Sequence, residues 1–486
     1  MTPGEDPMNG APNEVDGGTD PLAAARAAVA GREAWLVGGA VRDRLLGRQT
    51  DDLDIALADD PRAAARALAR ATGAAAFQLS GPFGAWRVVA PDQAWHVDLV
   101  TLRGRDIAAD LAGRDFTINA MAEPLAGGEL LDPHGGRADL AARRVRMVSQ
   151  AALTEDPLRT LRAIRLATEL ELDIEPSTGA AVTAHAAEIE RVAPERVFGE
   201  LKRIVTAPTA GHGLALMDAH GLTAAVLPEL AALHGVGQNE FHHADVYGHT
   251  LEVLDAVAAL ERDPAGCGLG DQESAVAALL AEPLADDLTR GGGMRFAALL
   301  HDGAKPQTRG LRPDGRVTFL GHDEAGAELA RDVLRRLRAS QRLIDYVAAL
   351  TLHHLRVGFL VHERPLGRRS VYRYLRATAP FSPEVTVFTV ADRLATRGRH
   401  ADEAIAAHVE LARELLGYAL AERAALPRPP LVRGDELAAE LGISPGRRLG
   451  ELLAQLEEDR FAGAIATRED AIERARDLVA QRPGTG

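Results

Sequence analysis

The sequence predicts an α+β protein, with a mixed α/β head on the N-terminal side followed by helices alone. Up to residue 150, short strand-like runs alternate with helical stretches and with Gly, Pro and Asp breakers. From "TEDPLRTLRAIRLATEL" onward, apolar residues recur every three or four positions, the spacing of one helix face. Aromatic residues make up only 4% of the chain while Ala and Leu are abundant, which favours helix. At 486 residues the chain exceeds what one core supports, so several domains are expected. They read as an acidic Gly- and Pro-rich disordered tail over 1–20, the head over 21–150, a helical neck over 151–235, a second helical domain over 240–400 and a C-terminal helical tail over 401–486.

Taken in order, "AWLVGG" predicts a strand ending in a glycine turn, and "DDLDIAL" a second strand. A helix is expected over 61–71, then strands at "AAAFQL", "AWRVVA" and "WHVDLVTL". Breaks in the helical part are expected at 262–293 and near 426–435, where Gly, Asp and Pro accumulate. The first twenty residues have no apolar h-region, so neither a signal nor a transit peptide is expected. No apolar stretch approaches the length of a bilayer span, so no membrane association is expected. Cys267 is the single cysteine, which rules out an internal disulfide framework and fits a reducing, cytoplasmic setting. With a net charge of −15, a diffuse electrostatic grip on nucleic acid is excluded, and any such contact must come from a local patch.

The first two strands carry chemistry. A strand ending at Gly38 and Gly39 and turning into a helix directs free backbone N–H groups and a positive helix end at one spot, a seat for phosphate, with Arg42 one turn in. Asp52 and Asp54 alternate along the next strand, so both carboxylates face one side, where they could share two hard cations. Asp98, on a later strand, is a candidate third carboxylate. Alone, a Gly-Gly turn or an Asp-x-Asp pair is a common surface feature. In tandem they describe two-metal nucleotidyl transfer, one cation activating a hydroxyl and the other steadying pyrophosphate.

"LVGGAVRDRLLG", "DDLDIAL", "RDFTINAMA", "LLDPHGGRADLAARRVR", "EDPLRTLRAIRLA" and "ERVFGELKRI" together resemble the successive motifs of the bacterial class II tRNA nucleotidyltransferase and poly(A) polymerase family, in order over roughly residues 33–205. The stretch from "PPLVRGDELAAELGIS" onward is similar to that family's C-terminal helical region. The resemblance implies a polymerase-beta-like nucleotidyltransferase head, and addition of C, C and A to the 3′ end of tRNA from CTP and ATP with Mg²⁺. It also implies that Arg114, followed by Asp115, holds triphosphate, that Asp156 accepts from the base amine and that Arg159 donates to the ring nitrogen. Cytosine and adenine share that donor–acceptor edge, so one carboxylate and one guanidinium suffice to select both. Asp156 and Arg159 are expected three apart on one helix, with Arg162 continuing the stripe and Arg165 further round, both for base or triphosphate. The bland alternative makes Asp156 a helix-start residue with Arg159 as its partner.

The densest basic stretch, Arg143, Arg144 and Arg146, then Arg191, Arg196, Lys202 and Arg203, is the expected tRNA-facing patch. Further on, His249, the His301-Asp302 pair and Asp392 lie on separate predicted helices, a ligand set for a divalent transition metal. Their order resembles the HD phosphohydrolase superfamily, and His322, His353 and His354 add to the set. A metal-dependent phosphohydrolase is therefore a second hypothesis, and a non-catalytic RNA binder a third. Between "VDLVTLR" and "RDFTINA" the chain is short where full CCA-adding members carry a longer basic loop, so CC-adding, A-adding and poly(A)-adding variants stay open. No obligate protein partner is expected.

Overall fold

The computed structural model describes residues 20–80, 84–238, 244–398, 401–426 and 429–481. The expected tail thus lies, but for Asp20, outside the described residues. The chain divides into two compact units, 1–185 and 186–486, so the expected neck is split between them.

In the first unit, α1 (Pro21–Ala28) starts where Asp20 accepts from the Leu22 N–H at 2.9 Å. Strand β1 (Ala34–Val37) leads through Gly38 into α2 (Gly39–Leu45), and β2 (Asp52–Leu57) follows. After α3 (Arg62–Thr72) come β3 (Ala75–Ser80), β4 (Ala85–Val89) and β5 (His96–Thr101). Then α4 (Ile107–Ala112) precedes the edge strand β6 (Ala122–Pro124). The sheet order is β3-β4-β5-β2-β1-β6, antiparallel throughout except for the parallel pair β2 and β5.

Period 2 sorts the side chains. Leu53, Ile55 and Leu57 of β2 and Val97 and Leu99 of β5 join the core with Ala25 of α1 and Leu68 of α3. Ala56, Leu111 and Ala122 form a small core on the opposite face, the face to which Asp52, Asp54 and Asp98 belong. The unit closes with α5 (Gly136–Ala141), α6 (Ala151–Glu155) and α7 (Leu158–Leu170), and a short parallel strand pair, Arg144–Val145 with Asp173–Ile174.

The second unit is helical, with two small hairpins that the helical periodicity did not announce. One pairs Pro283–Ala285 with Leu288–Thr289 around Asp286 and Asp287, both at positive φ. The other pairs Arg309–Leu311 with Val317–Phe319 around a Pro-Asp-Gly turn. The helices Val246–Arg262, Arg290–Leu300, Gln341–His353 and Ser382–Ala395 pack on one another. Near the C-terminal end a separate core of Val432, Leu437, Leu449, Leu456 and Ile472 holds three further helices. The expectation that no stretch reaches bilayer length meets one exception, 341–363, which passes by length and composition. Half of it is buried inside the protein, and it is a helix, a turn at His354 and Leu355, and two shorter helical segments.

Candidate active site and metal centre

Gly38 sits at φ +71, which L-residues with a side chain rarely adopt. A Cβ there would lie 3.0 Å from Arg114 Nη1 and 3.2 Å from Asp54 Oδ2, so the missing side chain is what lets the turn meet carboxylate and guanidinium. Gly39, expected to end the strand, opens α2 directly. The parallel register sets Asp54 opposite Asp98 and Asp52 opposite His96, whose Nε2 approaches Asp52 Oδ1 at 2.9 Å. Burial first, then the Asp52 charge, push the Asp54 carboxyl up to about 6, with Asp98 adding to the shift and Arg114 and Arg87 opposing it. Carboxylates crowded on one face, one of them so perturbed, are a donor set that suits a hard divalent cation.

Asp98 belongs to this face but is engaged. Arg87, directly opposite on β4, donates from Nε and Nη2 to its two oxygens at 2.7 Å each. The sequence offered Arg87 no distinction, since only the strand register reveals its partner. Arg42 is buried and bonded to Asp43 through two nitrogens at 2.9 Å and to Asn119 Oδ1 at 2.7 Å. It braces the turn from behind, with its Nη2 3.3 Å from where a Gly39 Cβ would stand. Arg114 is aimed by Asp110, which accepts from its Nε and Nη2 at 3.1 and 3.0 Å. Asp115 accepts from Arg162 Nη1 at 3.1 Å and from Asn119 Nδ2 at 3.1 Å. Burial would raise the Asp115 carboxyl, but the Arg162 charge and these hydrogen bonds outweigh it and hold it below the usual range.

Asp156 and Arg159 do not share a helix. Asp156 is extended, at φ −141, in the break between α6 and α7, because the following Pro157 disfavours helical backbone before it. Its Oδ1 accepts from the Leu158 N–H at 3.3 Å. Arg159 lies in α7 and donates to the carbonyls of Ala152 and Gly113, at 3.1 and 3.0 Å, tying α7 to the residue before Arg114. Arg165 is buried and pairs with Glu169 at 2.8 Å.

The basic stretch is divided between the units. Arg143, Arg144 and Arg146 belong to the first, where Arg144 is exposed, Arg143 donates to the Glu171 carbonyl and Arg146 pairs with Asp139. Arg191, Arg196, Lys202 and Arg203 belong to the second. Arg196 and Arg203 are exposed there, Arg191 lies 3.6 Å from Glu188, and Lys202 is bound to the Asp286 carbonyl and lies 3.3 Å from Asp287.

The second unit brings His249, His301, Asp302 and Asp392 together as expected from their order, and adds His322 and His354. Two triads form, His249/His301/Asp392 and Asp302/His322/His354, each with donor atoms within 4.8 Å of one another. His249 Nε2 lies 3.1 Å from Asp392 Oδ1, His301 Nε2 3.2 Å from Asp302 Oδ2, and His322 Nε2 3.3 Å from His354 Nε2. The Nδ1 atoms of His301, His322 and His354 donate to the carbonyls of Ala298, Phe319 and Thr351, at 2.9, 2.6 and 2.6 Å. That fixes each ring so that Nε2 points inward, the arrangement of metal-ligating histidines. His301 Nε2 is buried with no hydrogen-bond partner, the kind of atom a cation would satisfy. Burial, and then the His301 charge, push His354 down to about 4, so the ring is neutral and able to ligate at physiological pH. Burial acts to raise Asp302, but His301 and Lys305, whose Nζ is 2.6 Å away, hold it well below the usual carboxylate range. His353 points elsewhere, accepting from Arg356 Nε at 2.8 Å. Successive helical residues lie about 100° apart, so only one of the adjacent pair reaches the centre.

Residues 34–107 and 92–146 match the Poly A polymerase head domain family, 171–233 the probable RNA- and SrmB-binding site of polymerase A, and 246–397 the HD domain family. An A-adding tRNA nucleotidyltransferase of Deinococcus radiodurans is 38% identical over 458 residues, covering 93% of this chain and 97% of that protein. A CC-adding tRNA nucleotidyltransferase of Thermus thermophilus is 35% identical over 448 residues, covering 90% and 92%. Among solved structures, the Thermotoga maritima CCA-adding enzyme complexed with tRNA shares the fold, with a TM-score of 0.59 at 20% identity over 96% of this chain and 97% of that one. A glycine turn against paired aspartates, a histidine–aspartate centre in its own helical bundle, and such identity along nearly the whole length place this chain in the bacterial tRNA nucleotidyltransferase family, among its members with an HD domain.

Proposed function

We propose that the chain transfers CMP or AMP from CTP or ATP to the 3′ end of tRNA, as one part of CCA completion. The observation that carries this is the meeting of Asp52 and Asp54 with the Gly38 turn and Arg114 on one sheet face. Asp52 and Asp54 would hold magnesium, whose positive charge would be available to the attacking hydroxyl and the leaving pyrophosphate. Arg114, aimed by Asp110, holds the triphosphate beside the open turn at Gly38 and Gly39. The tRNA 3′-hydroxyl oxygen bonds to the α-phosphorus and the α–β bridging oxygen departs with pyrophosphate. Asp156 and Arg159 read the base edge, Arg159 with the guanidinium N–H groups that its two carbonyl contacts leave over. Arg162 and Arg165 back them, and Asp98, clamped by Arg87, sets the charge of the face. The basic residues of both units bind the tRNA.

A part-reaction is favoured over full CCA addition by the stretch between β5 and Arg114. It is a short helix capped by Asp106, which accepts from the Ala109 N–H at 2.8 Å, and pinned by Asp110 to the Arg103 N–H. The test offers the purified protein tRNA ending before CCA, after C and after CC, with CTP and ATP separately. Extension with one nucleotide alone supports the reading, either CTP on the ends before CCA and after C or ATP on the end after CC, and Asp54→Asn should reduce it to background with the fold intact. Extension of the first two ends with CTP and of the third with ATP would show the complete reaction.

The six-residue centre favours a second, metal-dependent phosphohydrolase activity, with a transition metal held by imidazole and carboxylate. Hydrolysis of p-nitrophenyl phosphate supported by manganese, cobalt or nickel and lost in His301→Ala would bear it out. No hydrolysis with any of them would leave the bundle a structural domain.

A further inference from the structure

The hairpin Arg309–Leu311/Val317–Phe319 lies in sequence between the His301-Asp302 pair and His322, and its strands pair only with each other. Its base is built into the metal centre. The Phe319 carbonyl accepts from His322 Nδ1, and Lys305, whose Nζ is 2.6 Å from Asp302, lies 5.4 Å from the Phe319 ring centroid. Its outer part is basic. Arg309, Arg312 and Arg316 are exposed, and among the described residues their side chains make no hydrogen bond or ion pair. The exposed Arg335 and Arg364 of the same unit are, by contrast, paired with carboxylates. The single acid of the hairpin, Asp314, spends its Oδ1 on the Arg316 N–H within the turn.

Unpaired guanidinium groups need break no ion pair to take a new partner, and they are forked to meet phosphate oxygens. Arg312 and Arg316 meet across the turn, where the Arg312 N–H donates to the Arg316 carbonyl at 2.9 Å, and they share one face, while Arg309, three residues from Arg312, belongs to the other, a spread that suits several phosphates of a strand better than one phosphate group. Beside them Leu311 and Leu320 are 67% and 77% exposed, apolar surface on which unstacked bases can lie. We propose that this hairpin is an RNA-binding arm of the histidine–aspartate centre, gripping the backbone of a single strand whose end is presented to that centre. The proposal deepens the phosphohydrolase reading and rests on it for the role of the centre.

The test compares the whole protein with the Arg309→Ala/Arg312→Ala/Arg316→Ala variant, using a short fluorescent single-stranded RNA and a salt titration between about 50 and 200 mM. Single-strand binding loses roughly 0.7 in log–log salt slope per phosphate contact, so removing three contacts should flatten the slope by about two. Metal content and manganese-supported hydrolysis of p-nitrophenyl phosphate should be unchanged. An unchanged RNA affinity and slope would overturn the proposal. So would a parallel loss of small-ester hydrolysis and metal, because the arginines would then only shape the centre. Binding of the wild-type protein but not of the variant to phosphatidylserine vesicles, with no change in RNA slope, would overturn it in favour of a lipid surface. If neither protein hydrolyses the small ester with any metal, the phosphohydrolase reading fails, while the RNA slope still decides whether the arm exists.

Discussion

Asp54 is held in a state of electrostatic tension that makes the transferase site sensitive to both protons and cations. Its folded pKa, about 6, lies above the unfolded value of 3.8. The contribution to stability is therefore full below the unfolded value and is lost as pH rises through about 6, while cation binding needs the carboxylate and changes in the opposite sense. At limiting magnesium, nucleotide incorporation should rise with pH through a midpoint near 6, and more magnesium should move that midpoint down. Rate profiles at two magnesium concentrations check this, and a midpoint indifferent to magnesium would remove Asp54 from the cation site. Asp156 offers a second residue test. Asparagine there keeps the size but adds a donor, so the CTP-over-UTP selectivity should fall about tenfold or more, as expected for one base contact of roughly 1–3 kcal/mol. Equal loss of both rates would reduce Asp156 to the helix-start residue its contact with the Leu158 N–H describes.

At the level of elements, what was readable depended on whether the signal was local. The alternation in "DDLDIAL" put Asp52 and Asp54 on one face without any knowledge of neighbours, and the sheet keeps that arrangement. The Asp156-Pro157 pair carried the information that Asp156 leaves the helix, but the helical spacing of the apolar residues around it dominated the reading. Likewise "RPDGR" between short apolar runs is a turn signal, masked by the helices on either side. The clamp of Arg87 on Asp98 and the choice of His354 over His353 were not legible, because each depends on register or on a helix's rotation about its axis. The C-terminal helices show a further device of the same tertiary kind. Asp459 is fully buried and bonded by Arg369 and Arg474, joining the helix Arg368–Thr378 to Arg447–Ala462 and Arg468–Gln481. Asp459→Ala should destabilise this module by roughly 2–3 kcal/mol, the worth of hydrogen bonds to a charged group. Hydrogen exchange should quicken over 447–481 and stay unchanged in the first unit; uniform acceleration would mean the module does not open by itself.

For the molecule as a whole, the two centres belong to different compact units, the aspartates to 1–185 and the histidine cluster to 186–486. His301→Ala should therefore remove transition-metal content and any phosphoester hydrolysis while leaving nucleotide incorporation within about twofold, since independent sites that share no partner act additively. Metal analysis and the two assays on one preparation decide it, and equal loss of both activities in a folded variant would point to a single composite function. The same division orders events during synthesis. Every residue assigned to the transferase face, from Gly38 to Arg165, leaves the ribosome before the first histidine ligand is made. The His249 contact with Asp392 must wait for 143 further residues, roughly 7–30 s at bacterial elongation rates. During that interval the helix Val246–Arg262 exposes an apolar face whose later partners do not yet exist, so the stretch of this protein most dependent on chaperones during translation is its middle rather than its catalytic head.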